Sequence, residues 1–276
     1  SQRYCPDKYY SRGKNMKINA NSIDIDCRLD GPEDGPVVML SNSLMSNYTM
    51  WETQVTALTH KYRVLRYDQR GHGGTETTPG PYSIELLAED ACALLEELNI
   101  EAVHFVGLSM GGFTGQMLAA LYPAKVLSLC LCDTACEMQP GSLWDERIDV
   151  ARSKGIEALL AGTLERWFTP PFHKTGREQL KKISEMIMGT GVDGYIGCAE
   201  AIRDMSICDN LGRIGAPTLV LVGEADPACP VASAQVLHEG ISGSKLVVIP
   251  QAAHLPNIEQ TALFNDTLVN FLDQHA

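Results

Sequence analysis

The residues most suited to chemistry lie in His104-Phe105-Val106-Gly107-Leu108-Ser109-Met110-Gly111-Gly112, where an apolar run passes into the helix-compatible stretch Phe113 to Leu121. Gly-x-Ser-x-Gly in that setting is the pattern of a strand that stops, a sharp turn, and a helix that begins. Glycines at 107 and 111 let backbone segments approach where a Cβ would collide, so the turn residue can hold a strained conformation. The Ser109 Oγ would then stand clear of the strand end, above a helix N-terminus whose partial positive charge favours a developing oxyanion. The bare pattern also occurs by chance in loops. The strand before it and the helix after it mark Ser109 as a candidate nucleophile.

A nucleophilic serine needs a base, and the base needs an acid to orient it. The apolar run Leu219–Val222 leads into Gly223-Glu224-Ala225-Asp226-Pro227, which puts Asp226 just past a strand end. His254 follows the next such run, in Ile249-Pro250-Gln251-Ala252-Ala253-His254. The resulting chain order, Ser then Asp then His, fits a strand-turn-helix nucleophile. Taken alone, Asp226-Pro227 could be a turn initiator and His254 a solvated loop residue; their placement after successive strands favours the catalytic reading. Asp133 is the second-ranked acid and Glu224 the third. His72, in Asp68-Gln69-Arg70-Gly71-His72-Gly73-Gly74, is expected to stabilise a turn and could shape the pocket. An oxyanion hole needs one backbone N–H after the nucleophile and one from the loop after the third strand. Met110 supplies the first. Leu44, in Ser41-Asn42-Ser43-Leu44-Met45-Ser46, supplies the second, with Asn42 and Ser43 either buttressing that loop or touching substrate.

The elements that must hold these residues alternate. Ile23–Leu29, Val37–Leu40, Tyr62–Tyr67, Val103–Val106, Val126–Leu131, Thr218–Val222 and Lys245–Ile249 read as strands. Helical periodicity marks Trp51–Leu58, Ser83–Leu98, a stretch near Ala232–His238 and a closing helix from about Thr261. Such alternation implies an α/β fold, a mostly parallel sheet with helices on both faces. Between Thr134 and Ile214 no strand pattern appears, only helical periodicity broken at Gly155, Gly162, Pro170-Pro171, Gly176 and Gly189. The expected organisation is therefore a polar N-terminal extension over 1–15, a core over 16–133 and 215–276, and a helical cap over 134–214. Placed after the sixth core strand, the cap would overhang the carboxyl ends of the strands, where open sheets bind ligands.

Composition narrows the partners. With 22 basic and 34 acidic residues the net charge is −12, and no basic block interrupts it. Nucleic acid and anionic membrane surfaces are therefore not expected partners. No apolar run reaches the roughly 18 to 20 residues of a membrane span. The nine cysteines are odd in number and include no Cys-x-x-Cys pair, which fits a reduced, cytoplasmic protein. Cys130 and Cys132 alternate like one face of a core strand, so no metal site is expected of them with Cys136. Oligomeric state leaves no trace in the sequence.

Together these segments resemble the α/β-hydrolase superfamily and, more narrowly, the 3-oxoadipate enol-lactonases, over about Met16 to Phe271. The narrower resemblance rests on Leu40-Ser41-Asn42-Ser43-Leu44, where many relatives have a His-Gly pair. Leu164-Glu165-Arg166-Trp167-Phe168-Thr169-Pro170 and Gly194-Tyr195-Ile196-Gly197-Cys198-Ala199-Glu200-Ala201-Ile202-Arg203-Asp204 add to it and look like the cap of that family. Met45 stands where that family usually has glycine. The resemblance implies opening of a small enol-lactone with a carboxymethyl arm, in aromatic catabolism, through Ser109, His254 and Asp226, with no metal or organic cofactor. A carboxylate on the substrate calls for a cation in the cap. Arg147, Arg166 and Arg203 are candidates, with Trp144 and Trp167 as apolar walls; the alternatives are ion-paired surface arginines and tryptophans buried in the cap's own core. A carboxylesterase or a carbon–carbon bond hydrolase would use the same triad, and a hydrolase-like ligand receptor could retain it. Dehalogenases and epoxide hydrolases of this shape use an aspartate nucleophile, which Ser109 disfavours.

Overall fold

Strands β1 (Asn15–Ala20), β2 (Ile23–Asp30), β3 (Val37–Ser41), β4 (Arg63–Tyr67), β5 (Val103–Leu108), β6 (Val126–Cys132), β7 (Thr218–Gly223) and β8 (Lys245–Ile249) form one sheet in the computed structural model of the chain. The structure describes residue 13 and residues 15–276. The spatial order is β1-β2-β4-β3-β5-β6-β7-β8. The pairs β1–β2 and β2–β4 are antiparallel, and every pair from β4 to β8 is parallel. Six of the seven expected strands begin at the expected residue; the other, β4, begins one residue later at Arg63. β1 is additional. It was not legible because Met16 and Ile18 alternate with polar residues over only six positions, and it gains its order by pairing with β2 in the register Met16↔Cys27 and Ile18↔Ile25. The expected extension over 1–15 lies outside the described residues apart from residues 13 and 15.

Helices α1 (Glu52–Leu58), α2 (Ile84–Glu97) and α3 (Met110–Leu121) belong to the core. α2 starts where the Ser83 Oγ accepts the Leu86 N–H at 3.1 Å, a side-chain cap for one of the N–H groups a helix start leaves unpaired. Its buried residues Leu87, Ala91, Leu94 and Leu95 recur at helical spacing. α3 is buried along nearly its whole length, which is why its sequence is apolar or small all round. β5 is buried at every position, as expected of a parallel strand covered on both faces.

Between β6 and β7 the chain forms α4 (Gly141–Lys154), α5 (Glu157–Trp167), α6 (Pro170–Thr175), α7 (Arg177–Met188) and α8 (Val192–Asp204). The breakers foreseen there act as expected at Gly155, Pro170, Gly176 and Gly189, whereas Gly162 sits inside α5 without breaking it. The chain then returns to α9 (Val231–Gly240), α10 (Pro256–Glu259) and α11 (Thr261–Asp273).

One expectation about the cysteines is corrected. Cys130 and Cys132 do lie together in the core, with sulfurs 3.6 Å apart. Cys136 and Cys208, however, form a disulfide across 72 residues of sequence with their Cα atoms 4.8 Å apart. They stand at the two stems of the helical insertion, where the Ile207 N–H also donates to the Cys136 carbonyl at 3.2 Å. The pairing was hidden because only the fold brings the two stems together. Among the described residues no helix is long and apolar enough to cross a membrane. Alkylation of the oxidised protein in denaturant should leave Cys136 and Cys208 unmodified until reductant is added, as peptide mass mapping would show. Modification of both before reduction would refute the bridge.

Candidate active site

Crowding shapes the turn from β5 into α3. A Cβ at Gly107 would lie 2.1 Å from the Gly111 carbonyl oxygen, and one at Gly111 would lie 2.1 Å from that of Ser41. β5 can therefore turn into α3 this tightly only with glycine at both positions. Between them Ser109 holds φ +54 and ψ −114, outside the regions an L-residue prefers. The conformation is over-determined. The Ser109 N–H donates to Cys132 at 2.9 Å, and its carbonyl accepts from Gly112 (2.8 Å), Phe113 (3.1 Å) and the Thr134 hydroxyl (2.8 Å).

The chain runs from β3 out to β4 and then back past β3 to β5, so direction reverses beside β3 and leaves a crevice at the carboxyl ends of the strands. Ser109 after β5, Asp226 after β7 and His254 after β8 all lie at that edge. The His254 Nδ1 is 2.8 Å from the Asp226 Oδ2. The Asp226 Oδ1 accepts the N–H groups of Ala228 (2.8 Å) and Cys229 (3.1 Å), so its carboxylate is fixed at both oxygens. Trp167 lies against the imidazole with ring centroids 6.3 Å apart, and its carbonyl accepts the Leu255 N–H at 3.2 Å. The end of α5 is thereby tied to the loop that carries His254.

Ser109 and His254 line one cavity, roofed by the insertion. Of the residues singled out from sequence, Ser43, Leu44, Trp144, Arg147, Arg166 and Trp167 also line it. Asn42 does not. Its side chain is buried and donates to the Tyr67 carbonyl (3.0 Å) while accepting from the Trp51 indole (3.0 Å), so it buttresses the loop. Arg203 does not either; it pairs at the surface with Asp145 (2.9 Å) and Asp204 (2.8 Å). Glu224 faces outward, accepting the exposed Gln251 N–H at 3.2 Å. Sequence reasoning missed Tyr195, Met138, Leu159 and Thr163 as lining residues. Tyr195 was within reach, since it lies in a cap motif already singled out; nothing local marked the others.

Arg147 and Arg166 are unlike Arg203. No carboxylate among the described residues pairs with either. Arg147 lies 4.9 Å from the Trp144 ring centroid, and Arg166 reaches only the Thr163 hydroxyl at 3.4 Å. Burial lowers the pKa of both, and for Arg166 the nearby Arg147 charge lowers it further. Burial pushes the Tyr195 hydroxyl up to about 12, although both arginines pull it down. Two partly desolvated guanidinium groups, neither in an ion pair, thus stand at the cavity wall, an arrangement that can receive an anion.

The loop after β3 is clamped by the one after β4. The Gln69 amide donates to the Asn42 carbonyl at 2.8 Å and accepts the Thr114 hydroxyl at 2.8 Å, linking the loop to α3. Met45 has φ +62, the left-handed region that favours glycine. Its N–H donates to the His72 Nε2 at 3.0 Å. That assigns the His72 proton to Nδ1, which lies 3.3 Å from the Arg70 carbonyl. Arg70 in turn grips Asp90 of α2 with contacts of 2.7 and 2.8 Å. The turn-stabilising role expected of His72 thus acts on a second loop, the one that carries Leu44.

These geometries belong to a known family. The alpha/beta hydrolase fold family matches residues 36–261, and the chain belongs to it. It is 36% identical to 3-oxoadipate enol-lactonase 2 of Acinetobacter baylyi over 90% of this chain and 92% of that protein. The enol-lactonase of Burkholderia xenovorans LB400 superposes with a TM-score of 0.92 at 36% identity, covering 94% of this chain and 100% of that one. A putative carbamate hydrolase, RutD of Agrobacterium fabrum, is 29% identical over 87% of this chain and 94% of its own length.

Burial lowers the His72 pKa to about 4 from 6.5. Between those values the unfolded chain takes up a proton that the folded one refuses, so stability is full above pH 6.5 and is lost as pH falls toward 4. Asp68, raised to about 6 by burial, contributes the opposite slope between its ordinary 3.8 and 6. A His72→Gln variant keeps an acceptor for Met45 but cannot titrate, and the Asp68 contribution is common to both proteins. Between pH 7 and pH 5 the wild type should lose on the order of 2 kcal/mol more than this variant in urea unfolding. Parallel curves would show that His72 is not held neutral.

Proposed function

We propose that the protein is a serine hydrolase that opens a small lactone bearing a carboxylate, 3-oxoadipate enol-lactone being the substrate that fits best. The observation that carries this reading is that Arg147 and Arg166, which form no ion pair among the described residues, lie in the same cavity as Ser109 and His254. The names of the relatives at 36% identity support the choice of lactone. The carboxylate arm is held by the two guanidinium groups, with Trp144 and Trp167 walling the ring. The lactone carbonyl then lies toward Ser109.

His254 takes the Ser109 proton as Oγ attacks the carbonyl carbon. Asp226 holds the imidazole with its proton on Nδ1, leaving Nε2 free to accept, and stabilises the imidazolium that forms. The oxyanion is received by the N–H groups of Met110 and Leu44. Met110 opens α3, where the first N–H groups have no partner within the helix. Each such donor contributes roughly 3–4 kcal/mol to the transition state. The tetrahedral intermediate collapses by breaking the bond to the ring oxygen, which leaves as an enol on taking the proton from His254. The enol becomes a ketone, so the step runs forward. Water, deprotonated by His254, then attacks the acyl-enzyme and frees the acid, returning the proton to Ser109. No step calls for a metal or an organic cofactor.

Ser109→Ala should lower kcat by on the order of 10^4-fold or more while leaving the thermal transition in place. Arg147→Met and Arg166→Met should each raise KM for the enol-lactone by about tenfold, the equivalent of one lost charged contact of about 1.4 kcal/mol, with far less effect on neutral p-nitrophenyl acetate. Arg203→Ala should change neither. Equal effects of the two cavity substitutions on both substrates would remove the anionic arm and favour a general esterase. Turnover of a carbamate in place of the lactone would move the assignment to that chemistry.

A further inference from the structure

Two aspartates stand behind His254, and a triad uses one. Asp133 follows β6 and Asp226 follows the neighbouring β7, and the Asp133 N–H donates to Leu221 of that strand at 2.8 Å. Both are buried, Asp133 at 0% and Asp226 at 3% exposure. Oxygens of the two carboxyls and a nitrogen of His254 all lie within 4.8 Å of one another. Two buried carboxyls this near each other oppose each other's charge, so that ionising one disfavours ionising the second.

The hydrogen-bond donors decide which one holds the proton. Asp226 receives Ala228, Cys229 and the His254 Nδ1. Asp133 receives only the Gly223 N–H, at 2.8 Å on Oδ1, and its Oδ2 is buried with no hydrogen-bond partner. Three donors favour the charge on Asp226; one donor and an orphaned oxygen favour the proton on Asp133. Burial, and then the adjacent Asp226 charge, push the Asp133 carboxyl well above the usual carboxylate range. The thiols nearby bring no competing charge, since burial also holds Cys132 and Cys229 up. A cation between the carboxyls is disfavoured because backbone N–H groups already direct their positive ends at them.

We infer that Asp133 is a neutral carboxylic acid whose Oδ2–H donates to Asp226, and that it is a reserve acid able to orient His254 when Asp226 is removed. In the native arrangement it is a positioning residue, adding a fourth donor to the Asp226 carboxylate. With the Asp226 side chain gone, its repulsion of the Asp133 charge disappears, and the His254 Nδ1–H becomes a donor that offsets the burial which also held the proton on Asp133. Asp133 then releases its proton to solvent, and its carboxylate takes the His254 Nδ1–H directly or through one water. This inference rests on the triad reading above.

The test compares Asp226→Ala, Asp133→Asn and the double variant on p-nitrophenyl acetate, with Ser109→Ala alongside. Asp226→Ala should lower kcat/KM by about 10^2-fold, well short of the roughly 10^4-fold loss of an unsupported imidazole. Adding Asp133→Asn to it should cost at least about tenfold more than the same change costs in the wild type. The low-field proton resonance of the His254 Nδ1–H should persist in Asp226→Ala and vanish in the double variant. Infrared difference spectra at neutral pH give a readout independent of turnover and of the Asp226 variants. The wild type should show a protonated-carboxyl band that Asp133→Asn lacks. Absence of that band, or equal activity of Asp226→Ala and the double variant, would overturn the inference. Full turnover by Ser109→Ala would instead overturn the triad reading.

Discussion

Ser109 sits in a backbone conformation that an L-residue adopts only under compulsion, and much of the central sheet is arranged to compel it. Gly107 and Gly111 let β3, β5 and the start of α3 crowd together, and the serine carbonyl is held by three donors at once. The strain has a chemical consequence. It fixes the hydroxyl above a helix N-terminus at the carboxyl edge of the sheet, where the other loops also end. If β5 and β3 separated, the turn would relax and Ser109 would lose its place relative to His254.

The remaining parts of the site are held from behind by polar groups that never meet the cavity. Asn42, Gln69 and His72 join the loop after β3 to the loop after β4, and Arg70 fastens that second loop to α2 through Asp90. Such buried networks are costly unless satisfied and specify one geometry when they are. Met45 occupies a left-handed position with a side chain where glycine would be easier, and its bond to a neutral His72 holds it there. The insertion works differently. It brings Arg147 and Arg166, neither of them in an ion pair among the described residues, to the wall of the cavity that Ser109 and His254 line. Its stems are joined by Cys136 and Cys208 and its α5 by the Trp167–Leu255 contact, which links the placement of those cations to the loop of His254.

Much of the fold was legible because parallel strands buried on both faces leave continuous apolar runs, and the helices between them leave a period of 3.6. The same runs announced Ser109, Asp226 and His254, since each lies in the turn or loop that follows a strand. β1 was not legible, because its order comes from pairing with β2 and not from its own pattern. The disulfide was hidden for a similar reason: 72 residues separate its cysteines. The three cap arginines looked alike in sequence. Arg203 turned out to be matched by Asp145 and Asp204, while Arg147 and Arg166 form no ion pair among the described residues.

The sequence by itself determined the alternation of elements, the position of the insertion and the order of the candidate nucleophile, acid and base. These are local properties, set by side-chain period, glycine placement and the strand ends. Only the tertiary structure decided which arginines face the cavity, that Asn42 is a buried strut, and that two aspartates share the space behind one histidine. Those outcomes depend on distances between segments far apart in the chain. Desolvation and charge repulsion act through space, and no spacing along the sequence encodes them.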